Sequence, residues 1–401
     1  MSEKLLEFRE AQQIVLNDVS VLSGEMVACG EAGGRVLVQD FLALADLPGF
    51  DNSAMDGYAV RAADTARDAL LEIIGTVAAG SKRTLEVGPG QAARIMTGAA
   101  IPQGADAIVP FEETAVEGSA IRLPGAVEAG QHVRVRGEDL AAGAVAVAAG
   151  RHLSPVDLGL ISCFGNERVK VVRRPTVAVL ATGDEIVSPG ASLCPGQLYD
   201  CNTTAICTAI AQAGGRPVPL GIARDNPQSL RSKVLKGLES DMLITVAGAS
   251  VGEFDLVRTV LQQAGVEEKF WGVSIKPGKP TAFCRFQEKP VFCLPGNPVS
   301  ALVTFELFVR PALLQMTGCR NPLPEMLRLP LAEAITKKKA RTLFARVQLL
   351  KRPEGPVVVS SGRQQTGILS SLARADGLAV LPDGQACFAA GERVEVILLQ
   401  R

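Results

Sequence analysis

The chain is 401 residues long, 47% hydrophobic and 21% charged, which suits a globular protein of two or more domains. Its 41 Lys+Arg against 42 Asp+Glu leave a net charge of −1, without the basic excess of a general nucleic-acid binder. Only two histidines occur, His132 and His152, which disfavours a histidine base or a His-rich zinc site and leaves the chemistry to carboxylates and lysines.

The nine cysteines are odd in number and form no C-x-x-C pair. The first ten residues are charged and polar rather than a secretory signal. Free thiols in a reducing cytoplasm are expected. No apolar run is expected to reach the length of a membrane span.

In chain order, residues 4–20 read as an amphipathic helix with Leu5, Leu6, Phe8, Ile14 and Val15 on its apolar face. Residues 47–60 read as a loop entering a strand, and it carries Asp51 and Asp56, each of which could simply cap a turn. Between 70 and 135, short β-prone pieces broken by glycine predict a small inserted β-barrel or sandwich. Within it, residues 94–99 end a strand in a small-residue turn, and residues 133–140 alternate apolar and basic before an acidic turn.

From Arg174 the pattern changes. Strands are predicted over 176–181, 216–220 and 242–246, and helices over 203–212, 229–238 and 255–264. That alternation predicts a doubly wound α/β domain with a parallel sheet covered on both faces. Glu185, Asp225, Ser250 and Asp255 fall just past the carboxyl ends of the strands, where open α/β sheets bind ligands. Residues 274–280 place Lys276 and Lys279 in a loop stiffened by Pro277, Gly278 and Pro280, a setting suited to phosphate or another oxyanion. Residues 289–301 read as a buried strand, the turn Pro295, Gly296, Asn297 and Pro298, and an apolar helix running toward Pro311. Such a turn suits an anion but also serves as an ordinary βα connection. After Arg320, β-rich segments predict a compact C-terminal domain, with Arg341 and Arg346 flanking Leu343 and Phe344.

Nine motifs, at residues 48–60 (PGFDNSAMDGYAV), 94–99 (RIMTGA), 136–140 (RGEDL), 181–185 (ATGDE), 197–202 (QLYDCN), 250–255 (SVGEFD), 275–280 (IKPGKP), 294–301 (LPGNPVSA) and 369–382 (LSSLARADGLAVLP), resemble in sequence and order those of the MoeA family. These are the molybdopterin molybdenumtransferases of molybdenum cofactor biosynthesis, and the gephyrin E domain is similar to them. The resemblance spans nearly the whole chain and implies an α/β multidomain fold. Its parts would be a doubly wound MoaB/MogA-like α/β domain (1–23 and 171–319), a linking domain (24–45 and 140–170), an inserted β-rich domain (46–139) and a C-terminal β-barrel-like domain (320–401).

The resemblance also implies adenylated molybdopterin and molybdate as substrates, Mg2+ as cofactor, release of AMP and a homodimer. Molybdopterin adenylyltransferase and downstream cofactor-handling proteins would be partners, with no nucleic acid and no membrane. Carried onto this chain, the catalytic residues are Asp56, Thr97, Asp139, Glu185, Asp225 and Asp255, and the metal is held by Glu185, Asp225 and Asp255. Substrate is bound by Ser250, Gly252, Lys276, Lys279, Pro280, Pro295, Asn297 and Pro298, with Arg341 or Arg346 as the C-terminal arginine. Asp56, Thr97 and Asp139 would face the partner subunit's cleft. A catalytically diverged scaffold would not require this whole acidic and basic set. One departure stands at Val246, Ala247, Gly248 and Ala249, where the family carries two glycines; the Ala247 methyl disfavours positive φ beside a ligand, and retained activity with altered affinity is expected.

Overall fold

The computed structural model describes residues 5–81, 85–246 and 251–399, with the backbone alone for 251–255. The chain folds as two compact units, one of Met1–Val38, Gly150–Ser154 and Arg168–Arg401, the other of Gln39–Ala149 and Pro155–Glu167. The stretches 24–45 and 140–170 therefore contribute to both.

In the first unit, Thr176–Thr182 is a β-branched apolar run that alternates cleanly between two cores. Val177 and Val179 enter one, Ala178 and Leu180 the other. The six-stranded sheet runs Arg216–Ala223, Thr176–Thr182, Met242–Val246, Lys289–Leu294, Ala282–Phe286, Glu267–Trp271. The first four are parallel, but the last two pairings are antiparallel, so Ala282–Phe286 runs against the other five strands, which corrects the expected all-parallel sheet. Only Gln287 and Glu288 separate Phe286 from Lys289, with Gln287 at φ 55°; so short a link makes a hairpin and cannot make a crossover.

Helices Phe8–Asn17 and Cys201–Gln212 and the helix Pro298–Met316 cover one face. Pro227–Gly237 and Val251–Gln263 cover the other. Helix starts follow their caps. Asp200 accepts from Thr203 N at 3.0 Å, so that helix begins at Cys201, ahead of the predicted start. Glu7 accepts from the N–H groups of Arg9 and Glu10, which shortens the predicted first helix at its front. The helix opened by Pro298 does not stop near Pro311. A π turn over Phe305–Val309 widens it just before the residue that lacks an N–H, and it continues to Met316. At 19 residues it is apolar and long enough to span a membrane, contrary to the sequence expectation, but 78% of it is buried inside the protein as core.

The C-terminal sheet runs Ile275–Lys276, Thr342–Arg352, Gly377–Leu381, Arg393–Leu398, Met326–Pro330, with Gly355–Ser360 also paired to Thr342–Arg352. A bridge from Leu331 to Val358 closes these strands into a barrel-like form around Val347, Val358, Ala379 and Val396. Its outer face is partly covered. Phe344, Leu378, Val380 and Ile397 join the α/β core, with Phe8 edge-on to Phe344 at 5.1 Å.

One ion pair fixes the entry to the α/β sheet. Asp241 accepts from Arg173 at 2.7 and 2.6 Å and from Thr176 N and Oγ1 at 2.8 and 2.7 Å. Burial pushes its pKa up, but Arg173 and Thr176 outweigh burial and hold it at about 2, against 3.8 ordinarily. The depressed value means stability that is present above pH 3.8 and lost as pH falls through about 2. Asp241→Asn is expected to cost about 2 kcal/mol at neutral pH and to flatten the stability curve between pH 4 and 2, checked by urea midpoints across pH.

The second unit is built on a six-stranded mixed sheet, Ala107–Pro110, Gly57–Val60, Gln91–Ile95, Leu70–Val77, Ala120–Arg122, Ala115–Glu117. Tyr58, Val60, Ala92, Ala107 and Val109 pack one face, and Ala59, Ala93, Ile95 and Ile108 pack the other. It is an open sheet with two cores rather than the predicted barrel or sandwich, because its edge strands, Ala107–Pro110 and Ala115–Glu117, do not pair with each other. Gly57 lets neighbouring strands close up, since a Cβ there would lie 2.2 Å from Val109 O.

Candidate functional site

The parallel strands end together, and their turns hold the candidate carboxylates. Gly183 sits at φ 138°, and a Cβ on it would lie 2.5 Å from a Glu185 carboxylate oxygen, so the side chain of Glu185 folds over the glycine. Asp184 N donates to Asp225 Oδ2 at 3.2 Å, Asp225 N to Asp184 Oδ1 at 3.4 Å, and Arg224 to Asp184 O at 3.1 Å. These bonds clasp the first two strand ends, and Glu185 and Asp225 on them are each half-buried. Ser250 lies outside the described residues, as do Ala247, Gly248 and Ala249 of the departure; Gly252 lies on the described backbone of Val251–Gln263, and the side chain of Asp255 is outside the description.

At the next strand end, Pro295 is buried and Asn297 is exposed, with Pro298 in the first helical turn. The Asn297 side chain makes no capping bond. Asn202 Nδ2 donates to Gly296 O at 2.7 Å and ties this turn to helix Cys201–Gln212. Asn202 Oδ1 and Thr203 Oγ1 are buried with no partner. Both atoms sit in the first turn of helix Cys201–Gln212, next to the turn that Asn202 holds. Asn202 lies inside the motif QLYDCN, yet its tie to Gly296 crosses 94 positions and has no local signature.

The lysine loop is held from two sides. Ile275 and Lys276 pair in parallel with Thr342 and Leu343 of the C-terminal domain. Val273 N donates to Lys279 O at 3.0 Å, and Thr281 Oγ1 donates to Gly278 O at 2.8 Å. Gly278, at φ 106°, lies against the helix that Pro298 opens; a Cβ there would stand 2.3 Å from Thr304 Cγ2. Lys276 and Lys279 are exposed and Pro280 is half-buried. The structure thus brings the lysine loop onto the helix that follows the Pro295 to Pro298 turn.

The two candidate arginines differ. Arg346 is 0% exposed, and its Nη2 donates to Arg363 O and Gln365 O at 2.9 and 3.2 Å, while Nε and Nη1 have no partner. Burial lowers its pKa. It fastens loop 361–368 from inside, a placement that follows from its alternation with Ala345 and Val347 along the strand. Arg341 is only half-buried, next to the lysine loop through Thr342.

In the second unit three motif segments converge. Asp56 accepts from Thr97 N and Oγ1 at 2.7 and 2.9 Å, and these bonds, with the Arg94 charge, hold its carboxyl below the usual range. Arg134 pairs with Asn52, Arg136 N donates to Asp51 at 2.7 Å, and Asp139 N to Leu47 O at 3.1 Å. A depression of about 430 Å³ lies among Pro48, Asn52, Gly98, Arg134, Glu138 and Asp139. Arg134 belongs to the apolar and basic alternation read over 133–140, and Asn52 to the 48–60 motif, but neither is among the site residues that the resemblance implies.

Among the described residues no three carboxylates, thiols or imidazoles cluster as a preformed metal centre. Glu185 and Asp225 offer carboxylate oxygens only, the donor set of a cation that takes its remaining ligands from substrate phosphate and water.

Comparison with known proteins fits this geometry. Residues 6–165 match the family model described as MoeA N-terminal region (domain I and II), residues 178–315 the probable molybdopterin binding domain, and residues 328–399 the MoeA C-terminal region (domain IV). Molybdopterin molybdenumtransferase 2 of Mycobacterium tuberculosis is 36% identical over 403 residues, covering 97% of this chain and 98% of that protein. The molybdopterin molybdenumtransferase of Staphylococcus aureus is 32% identical over 401 residues, covering 98% and 95%. The crystal structure of the molybdopterin biosynthesis moeA protein from Pyrococcus horikoshii is similar with a TM-score of 0.86 and 35% identity, over 99% of this chain and 100% of that one.

Proposed function

The chain belongs to the MoeA family of molybdopterin molybdenumtransferases, and from that premise we propose how its own residues divide the reaction. It is an enzyme of molybdenum cofactor biosynthesis. Its substrates are molybdate and adenylated molybdopterin; cleavage of the adenylate anhydride releases AMP, and molybdenum enters the dithiolene.

Molybdate is a tetrahedral dianion, and Lys276 and Lys279 are compact cations on a loop that cannot swing away. That locked loop is the observation that carries the reading. Ser250 and Arg341 complete the oxyanion host. Arg341 takes this role rather than Arg346, whose guanidinium is sealed from solvent. Gly252, Pro280, Pro295, Asn297 and Pro298 shape the walls for the pterin and its phosphate.

Glu185, Asp225 and Asp255 hold Mg2+. A bound Mg2+ supplies charge neutralisation at the phosphates. The strand-end clasp keeps Glu185 and Asp225 aimed at that position in advance, so little reorganisation is needed when substrate arrives. Asp56, Thr97 and Asp139 act on the cleft of the partner subunit in a homodimer. The hydrogen bonds from Thr97 keep Asp56 ionised for that task. Cys163, Cys194, Cys201 and Cys387 are exposed free thiols, which supports a reducing cytoplasm, where the adenylyltransferase that makes the substrate and the proteins that take the product are the partners.

The test is an in vitro reaction of the purified protein with adenylated molybdopterin, Mg2+ and molybdate. AMP release coupled to formation of active cofactor is expected. Absence of AMP release with any tetrahedral oxyanion would overturn the reading.

A further inference from the structure

We propose that loop 337–341 of the C-terminal domain is an electrostatic capture arm that draws molybdate toward Lys276 and Lys279. The proposal rests on the function above and adds residues that no motif contains. Thr342 N donates to Ser274 O at 3.1 Å, and Thr342 and Leu343 lie in register with Ile275 and Lys276. Paired strands run about 4.8 Å apart, so Arg341 flanks Ser274 at the root of the lysine loop.

The arm is fixed rather than a solvated run of charge. Lys337 N donates to Ala386 O at 2.8 Å, and Gly384 N to Lys339 O at 3.0 Å. The Lys337 ammonium turns inward and donates to the carbonyls of Lys338 and Arg341 at 3.2 and 3.0 Å. Lys337 is thus an internal tie, and Lys338 and Lys339 are left exposed at the surface.

The exposed cations around this loop are in no ion pair among the described residues, with Asp383 acting among them on Lys337. Among the described residues no ion pair involves Lys276, Lys279, Lys338, Lys339 or Arg341, whereas Arg9 pairs with Glu395, Arg285 with Asp18 and Arg310 with Glu306. Nearby acids are engaged elsewhere: Glu7 caps its helix, and Glu392 accepts from Ala389 N and Gln385. Asp383 acts on Lys337, opposing the fall that burial imposes on the lysine pKa. A chain with net charge −1 therefore carries a concentrated positive field at one place. Fields of this kind raise the capture rate of small anions by about 10- to 1,000-fold and fade with salt.

The test is K338E/K339E in the full-length enzyme, with steady-state kinetics in molybdate at ionic strengths of about 0.01 M and about 1 M. At low salt kcat/KM is expected to fall about tenfold, with the loss in KM and kcat kept. At high salt the deficit is expected to vanish. K338Q/K339Q should fall between, and the remote reversal K236E/K351E should match wild type at both salts. An unchanged kcat/KM at low salt, or a deficit that persists at high salt, overturns the arm while the function reading stands. A wild-type enzyme that consumes no molybdate overturns the function reading and the arm with it.

Discussion

Replacing Lys276 and Lys279 together by alanine is expected to lower kcat/KM for molybdate about a thousandfold while leaving the melting temperature within about a degree. Each lysine offers a charge-assisted hydrogen bond to the oxyanion, worth about 1.5–3 kcal/mol. Two such bonds lost amount to about 3–6 kcal/mol, or about two to four powers of ten. Stability is spared because both side chains are exposed and neither is in an ion pair among the described residues. The backbone that they ride on is held by the Thr342 and Leu343 ladder and by the Gly278 contact, which the substitution does not touch. K276R/K279R should recover little, since a planar fork on a longer stem does not reproduce a compact point charge. Molybdate-dependent kinetics with a thermal melt decide the matter. A double variant that keeps kcat/KM within about threefold of wild type would show that the oxyanion is held elsewhere.

The contrast between these lysines and Arg346 shows where sequence stops being legible. A loop of Lys, Pro, Gly, Lys and Pro announces rigidity and charge in adjacent letters. The strand-end positions of Glu185 and Asp225 were equally readable, because the apolar run before each ends abruptly at glycine or acid. Arg346 carries no such mark. Whether an arginine on an 11-residue strand points to solvent or inward depends on what packs on each face, and here the strand is buried on both faces from Thr342 to Val347. The antiparallel pair Ala282–Phe286 and Lys289–Leu294 was missed because both strands are buried and apolar on each face, like parallel strands, and only the short link between them gives their direction away. The Asn202 tie to Gly296 and the meeting of Asp56 with Thr97 join residues 94 and 41 positions apart. Local pattern cannot encode such pairs; the family resemblance named their motifs without showing that they touch.

Gly278→Ala is the single substitution expected to damage both stability and activity most. The residue sits at φ 106°, where an L side chain is strained, and the new methyl would stand 2.3 Å from Thr304 Cγ2 and 3.1 Å from Ile275 Cδ1. Neither neighbour can yield. Thr304 is 0% exposed, and its hydroxyl donates to Ser300 O and Ala301 O at 2.8 and 3.1 Å, while Ile275 is also fully buried. Backbone strain of about 1–3 kcal/mol and overpacking of about 1–3 kcal/mol give a loss of about 2–6 kcal/mol, or a loop displaced from its ladder. Either response moves Lys276 and Lys279 relative to the strand ends, so molybdate use should fall even in the fraction that stays folded. A double-mutant cycle separates the two causes. Thr304→Ser removes the obstructing methyl and keeps both hydroxyl bonds, so G278A/T304S should recover the packing share, about 1–3 kcal/mol, in urea unfolding, with the backbone share remaining. If T304S gives no recovery, the glycine is required for its φ alone, and the helix carrying Thr304 does not act as the buttress of the oxyanion loop.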